Sequence, residues 1–146
     1  MDKITETQRS STRNQSTVDY QTANLFMWNN RYQTATLNVA TTGVITTGML
    51  VIRGANPGEI TIATEAAADL EKVIGILAPG SDIDVEAGDL VPVNYCISGD
   101  IDTTLLELTD PAILDLLLPN GKAFRDILTD LGFVLHEVKE QSDFDN

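Results

Sequence analysis

Histidine and cysteine, the side chains that most readily ligate metals or act as nucleophiles, occur once each in this chain of 146 residues, as His136 and Cys96. A zinc site needs several such ligands, so one of each argues against a transition-metal centre. The counts alone leave a Ser-His-Asp group open, but the G-x-S-x-G turn that would present its serine does not occur. We expect His136 at a surface or strand edge. Cys96 is expected to fill space in an apolar strand, with a reactive or intermolecular thiol as the alternative.

Carboxylates form the second set of candidates. Residues 82–89 read Asp-Ile-Asp-Val-Glu-Ala-Gly-Asp, which resembles half of a calcium-binding loop. The EF-hand loop requires glycine at its sixth position and glutamate at its twelfth, whereas Gly88 is seventh here and Val93 is twelfth. Alternation with period two places Ile83 and Val85 on one face of a strand and the acidic residues on the other, so we favour a solvated strand face.

Two further patterns fall short of a catalytic or phosphate-binding site. Asp100 and Asp102 have the chemistry of a general acid–base pair, but turns that follow strands commonly carry such residues. The segment from Gly54 to Gly58 lacks the Lys-Ser/Thr pair and the helix start of a phosphate-binding loop. We therefore predict no catalytic residue, no cofactor and no metal ligand, and a protein that is not an enzyme.

The stretch most informative about binding runs from Leu25 to Tyr32. It holds the only Trp of the chain together with a Phe, a Tyr and an Arg, and large amphipathic side chains of this kind are enriched at the anchor points of protein interfaces. The alternative is that they seal the edge of the folded body. We favour an interface because the cluster lies between a polar tail and the first regular β segment. The predicted interface residues are Leu25, Phe26, Met27, Trp28, Arg31 and Tyr32.

Charge is distributed unevenly along the chain, whose net charge is −13. Residues 1–53 hold five basic and three acidic side chains, whereas residues 54–146 hold four basic and nineteen acidic ones, a net charge of −15. Such an acidic body repels nucleic acid and anionic membranes, so neither is expected as a partner. The chain has no apolar run near ~20 residues and no signal-peptide pattern at its start, so we expect synthesis in the cytosol.

The elements that must position these residues are mainly strands. Residues 1–24 are rich in Ser, Thr, Gln and Asn and bury too little to fold alone, so we divide the chain into an extended N-terminal arm, 1–36, and a β-rich domain, 37–146. Within the domain, Ser98-Gly99-Asp100 is predicted to end one strand, and a further apolar run begins at Ile101. Short apolar or alternating runs bounded by turn residues predict strands at 37–40, 43–45, 48–52, 60–63, 73–77, 82–86, 90–97 and 133–138.

Helical signals come late in the chain. Asp110-Pro111 supplies an N-cap and a first helical residue, and Pro119 ends that segment. Asn120 is predicted to cap a second helix, in which apolar residues recur at helical spacing over 124–131 and which Gly132 ends. The sequence therefore predicts a mainly β, single-domain barrel or sandwich with one or two short C-terminal helices. Residues 47–51 and 87–91 resemble each other, each a Gly turn before an apolar strand, but the match is too short to indicate a repeat.

Several of these segments follow one another in the order of a known family. Gly48-Met49-Leu50-Val51 comes first, and the others are the Ile60-Thr61-Ile62 strand, the Ala66-Ala67-Ala68-Asp69 turn, Val73 to Ala78, the Val91–Gly99 strand, and the helix from Phe124 that closes with Gly132-Phe133. Over about 37–138 the chain resembles the head decoration (capsid cement) proteins of tailed bacteriophages, the lambda-type head protein D family. It departs from the small members of that family in its longer front end and in its Asp110–Pro119 insertion.

The resemblance implies a structural protein of the virion with no enzymatic activity. It implies homotrimers that bind the outer surface of the mature capsid at threefold and quasi-threefold positions and stabilise it. The partners would be the major capsid protein and further copies of the chain, and the N-terminal arm would become ordered on the capsid. The alternatives are a phage tail or baseplate adaptor and a non-catalytic β domain associated with an enzyme.

Overall fold

The protein, seen here as a computed structural model that describes residues 24–137, is built mainly from strands. Strands hold 45% of the described residues and helices 18%, which confirms the predicted fold class. The helices are α1 (Ala67–Leu70) and α2 (Phe124–Leu131), with two 3₁₀ turns at Thr103–Leu105 and Pro111–Asp115. The strands are β1 (Phe26–Asn38), β2 (Gly43–Ile45), β3 (Leu50–Arg53), β4 (Glu59–Ile62), β5 (Val73–Leu77), β6 (Ile83–Val85), β7 (Leu90–Asp102) and β8 (Phe133–His136).

Five of these strands form a closed barrel. Its order is β1-β4-β3-β5-β7, and β7 pairs back onto β1. The β1–β4 pair is parallel and the other four pairs are antiparallel. β1 and β7 are the longest strands, 13 residues each. The second half of β7 also pairs in parallel with β8, which extends the sheet beyond the barrel.

The barrel wall separates two hydrophobic cores, because successive side chains of a strand point to opposite faces. On β3, Val51 lies inside the barrel and Leu50 outside, and on β5 Leu77 lies inside and Ile76 outside. Every barrel strand contributes to the inner core, which is therefore filled by side chains. The inner core contains Leu37, Val51, Ile60, Leu77, Val93 and Tyr95, and the outer core includes Leu50, Ile76, Cys96, Ile101, Leu106, Phe124, Leu128 and Phe133.

A two-stranded ribbon of β2 and β6 covers one end of the barrel. β2 lies in the connection from β1 to β3, and β6 in the connection from β5 to β7, so two separate excursions of the chain meet there. Each ribbon strand leads through a glycine of positive φ, Gly48 or Gly88, into the next barrel strand. The two excursions are equivalent, because β6 and β7 begin 40 positions after β2 and β3 respectively. The sequence echo noted above marks this equivalence.

The segment after β7 covers the outer core and is held by carboxylates at the two ends of α1. Glu65 accepts a hydrogen bond from the backbone N–H of Thr109 (3.0 Å), and Glu71 accepts one from that of Asn120 (2.7 Å). The predicted Asp110 cap is confirmed, since its carboxylate accepts from the Ala112 N–H at 2.9 Å.

The second predicted cap is wrong. α2 begins at Phe124, later than predicted, and Asn120 instead accepts a hydrogen bond from the N–H of Lys122 within the preceding turn. The side chain of Asp126 accepts from the Ala123 N–H at 3.1 Å and so satisfies a free donor at the helix start. The end of the helix is as predicted, because Gly132 adopts a left-handed φ of 112°.

Two of the differences from the predicted boundaries affect how the barrel is built. Ser98-Gly99-Asp100 does not end β7, which continues to Asp102. Gly99 permits this continuation because β1 crosses so closely that a Cβ would lie 2.6 Å from the Asn30 Cα. The division at 36/37 falls inside β1, so the described part of the predicted arm is a barrel strand. Residues 1–23 of that arm, and the predicted end of the last strand at 138, lie outside the described residues.

Among the described residues, no helix combines the length and the apolar character needed to cross a lipid bilayer.

Candidate binding surface at Trp28

Trp28 is the largest exposed side chain of the part of the chain that the structure describes. It lies in the first half of β1 and is 53% exposed. The pairing of β1 with β7 is irregular on both sides of Trp28, between Phe26 and Tyr32. Asn29, the next residue, has a φ of 58° and is the only non-glycine residue of 24–137 with a positive φ. Bulges of this kind re-aim side chains and recur beside functional sites.

The bulge directs Trp28 onto the imidazole of His136. The two ring centroids are 5.7 Å apart, with an interplanar angle of 57°. The Nε2 atom of His136 lies 2.9 Å from the Oδ2 atom of Asp100, whose side chain is only 14% exposed. Asp100 therefore fixes the ring of His136, and His136 supports the indole. An exposed aromatic side chain that is already held in place loses less conformational entropy when it binds.

The side chain of Asn30 stabilises the bulge by contacting β7. Its side-chain amide donates to the carbonyl oxygen of Asp100 at 3.1 Å and lies 3.7 Å from the Sγ atom of Cys96. The Cys96 thiol donates to the carbonyl oxygen of Ser98 at 3.2 Å, and burial raises its pKa. Cys96 therefore fills space in the outer core, as predicted, and contributes to the support of the bulge.

Val134 adds a second exposed apolar side chain to the same row of the sheet. Trp28 pairs with Asp100 across β1 and β7, and Asp100 pairs with Val134 across β7 and β8. Residues paired in register on neighbouring strands face the same side of the sheet, and Val134 is 51% exposed. We call these four residues, Trp28, Asp100, Val134 and His136, the Trp28 surface.

The six predicted interface residues separate into three groups in the structure. Leu25 is buried in the outer core and only 6% exposed, where it anchors the start of β1 to the body. This corrects its prediction as an interface residue. Phe26 and Met27 are half-buried. Trp28, Arg31 and Tyr32 are exposed, and Tyr32 packs edge-on against Phe26 with ring centroids 5.7 Å apart. Burial, and to a smaller extent the nearby Cys96, raise the pKa of Tyr32.

Sequence reasoning missed three members of the Trp28 surface. The sequence predicts Asp100 in a turn, Val134 within a closing strand and His136 at a surface or strand edge, and nothing in it connects these residues with Trp28. Period-two alternation in β8, where Phe133 and Leu135 contact the outer core, is the one local signal that places Val134 and His136 on the opposite face. Their proximity to Trp28 is not readable from local sequence, because β8 lies more than 100 positions along the chain.

The predicted solvated strand face of residues 82–86 is what the structure contains. Val85 is buried on the inner face of the ribbon, while Asp82, Asp84 and Glu86 are exposed. The carboxylate of Asp89 accepts a hydrogen bond from the N–H of Glu86 at 2.8 Å and so serves the turn itself. Within residues 24–137, no group of three His, Cys, Asp or Glu side chains is placed to hold a metal ion.

A scan of the sequence against protein-family models finds no match, and a search of curated proteins finds none either.

Proposed function

We propose that the protein is a structural protein of a tailed-bacteriophage virion. It forms trimers, binds the outer surface of the assembled head at threefold and quasi-threefold positions through the major capsid protein, and stabilises the shell. The observation that carries the proposal is Trp28, which the β1 bulge and His136 hold exposed just after the point where the N-terminal segment joins the barrel. A pre-positioned Trp is the kind of side chain that dominates interface energies.

Three further features support this proposal. The order of sequence segments resembles the lambda-type decoration proteins, and the small mainly β domain agrees with that resemblance. The net charge of −15 on residues 54–146 would keep decorated particles apart in solution. The physical mechanism is linkage: a protein that binds only the mature lattice lowers the free energy of that state, and a trimer adds avidity.

The central experiment measures binding of full-length protein to undecorated heads. Trp28→Ala is expected to weaken binding by roughly 30- to 1,000-fold, because truncating a desolvated aromatic anchor costs ~2–4 kcal/mol. Leu117→Ala is the matched control, since Leu117 is 70% exposed and lies outside the Trp28 surface. Occupancy on sedimented heads and the temperature at which the heads release DNA are the measurements.

Two results would contradict the proposal. One is normal occupancy of the Trp28→Ala protein, and the other is gold-labelled protein located on tails in negative-stain images, which would favour the tail or baseplate adaptor instead. Trimer formation is tested separately by light scattering of the full-length chain. A monomer mass at all concentrations would show that the free protein does not form trimers.

A further inference from the structure

A cavity of about 320 Å³ lies at the end of the barrel that the β2–β6 ribbon covers. At this end β1 and β4 finish and β3 begins, so the cavity lies between the inner core and the ribbon. Its apolar lining comes from Val39, Ile45, Met49, Ile62 and Val85, which belong to the two ribbon excursions and to β4. The mouths of β-barrels are among the usual places for small-molecule sites.

Among the residues that the structure describes, the lining of this cavity contains no charged side chain. That is unusual in a segment of chain, 24–137, that holds sixteen acidic and five basic residues. An ionised group that entered the cavity would lose its hydration without finding a partner, which is strongly unfavourable. The acidic residues on the outer face of the ribbon, Asp82, Asp84 and Glu86, further disfavour anions at the entrance. The ligand that fits is therefore uncharged.

The volume limits the size of the ligand. The cavity is about twice as large as a ~150 Å³ cavity that holds benzene, so it accommodates a molecule of about ten to twelve non-hydrogen atoms. The rim carries the hydroxyl group of Thr41, which forms no hydrogen bond within the described residues and leaves room for one polar group on the ligand. Thr42 is already engaged, since its Oγ1 accepts from the Ala87 N–H at 3.0 Å and ties the two excursions together.

We propose that this ribbon cavity binds one small, uncharged, mainly apolar molecule, such as a bicyclic aromatic compound with a single hydroxyl group. The site is independent of the Trp28 surface and of the function proposed above.

The test compares two probes that share a naphthalene ring, one neutral and one anionic. Full-length protein is titrated with 1-naphthol, which is neutral, and with naphthalene-1-sulfonate, which is anionic, by calorimetry and by NMR of the Met49 methyl group. We expect naphthol to bind one site with a Kd on the order of 10–100 µM and to shift the Met49 signal. The sulfonate is expected to bind at least about 30-fold more weakly, because its charge cannot be desolvated in a neutral cavity.

Two filling variants locate the site. Met49→Trp enlarges a half-buried lining residue, and Gly43→Leu adds a side chain at a lining position where a Cβ would meet no atom within 4 Å. Each is expected to abolish naphthol binding, and Gly43→Leu keeps the test valid if Met49→Trp does not fold. Leu117→Ala removes the most exposed large apolar side chain within residues 24–137 and should leave the Kd unchanged. The proposal is overturned by no saturable binding up to 1 mM, by equal affinity for the two probes, or by full binding to a folded filling variant.

Discussion

His136 decides how firmly Trp28 is held, because its imidazole is the one ring within residues 24–137 that packs against the indole. Since Trp28 is the only tryptophan, the tryptophan fluorescence of the protein reports the surroundings of this one side chain. We predict that His136→Ala increases quenching of the emission by iodide and shifts the emission maximum to the red. Folding stability should fall by no more than ~1 kcal/mol, as expected for one partly exposed ring contact. Leu117→Ala is the control, and unchanged quenching in His136→Ala would show that the bulge alone orients the indole.

Glu59 is the residue through which acid should weaken the barrel. It is 7% exposed, pairs in register with Thr36 on β1, and accepts a hydrogen bond from the side chain of Asn56 at 3.2 Å. That bond lowers the pKa of Glu59 below its usual value near 4.5, although burial acts in the opposite direction. A carboxyl group whose pKa is lowered by folding stabilises the native state above its unfolded pKa, and this contribution disappears as the pH falls through the folded pKa.

The corresponding prediction concerns Glu59→Gln, which should unfold at lower urea concentration than the unaltered protein at pH 7. The difference between the two proteins should shrink as the pH falls below the usual carboxyl value near 4.5 and through the lower pKa of folded Glu59, because Glu59 itself then becomes protonated. Urea midpoints measured from pH 7 to pH 3 provide the check. A difference that is constant over this range would mean that the charge of Glu59 has no role in stability.

Among the elements, the crossing of β1 over β7 depends on Gly99. Its φ of 120° is rarely adopted by other residues, and a Cβ would lie within 2.7 Å of both Asn29 and Asn30. We predict that Gly99→Ala destabilises the protein by about 2 kcal/mol or more, because strain and overlap combine. It should also disturb the bulge and therefore increase quenching of Trp28. Gly43→Ala is the matched control, since no atom lies near its Cβ position, and a Gly99→Ala protein of normal urea midpoint would contradict this account.

The short strands were predictable because each one is a local pattern. Gly43–Ile45 and Val73–Leu77 are found at the predicted bounds, since apolar runs between turn residues define them without reference to the rest of the chain. The first half of β1 was not predictable from local sequence, because Asn29, Asn30 and Arg31 interrupt any period-two pattern. These residues belong to a bulge whose reason lies in β7, about 70 positions away. Trp28 was identified by its residue type, whereas its supporting contacts depend on barrel closure.

At the scale of the whole molecule, closure of the barrel determines how many N-terminal residues can be deleted without unfolding the protein. Deleting residues 1–23 should leave a folded protein, because all five strands that close the barrel lie within residues 24–137. Deleting 1–36 removes most of β1, opens the barrel and exposes the inner core, so that protein should be unfolded. Circular dichroism and urea unfolding of the two truncated proteins would distinguish these outcomes. Cooperative unfolding of the chain that begins at residue 37 would show that β1 is dispensable.

The pairing of β1 with β7 also has a consequence for synthesis on the ribosome. Asn38 pairs with Leu90 and Phe26 with Ile101, so each residue of β1 emerges 52 to 75 positions before its partner. At ~5–20 residues per second this delay is about 3–15 s. During that time β3, β4 and β5 can pair with one another and the end of β1 can pair with β4. The first half of β1 has no partner strand yet, and Phe26 and Trp28 stay uncovered. The nascent chain is therefore most exposed to misassociation in the strand that carries Trp28, and chaperones that shield apolar segments during translation should act there first.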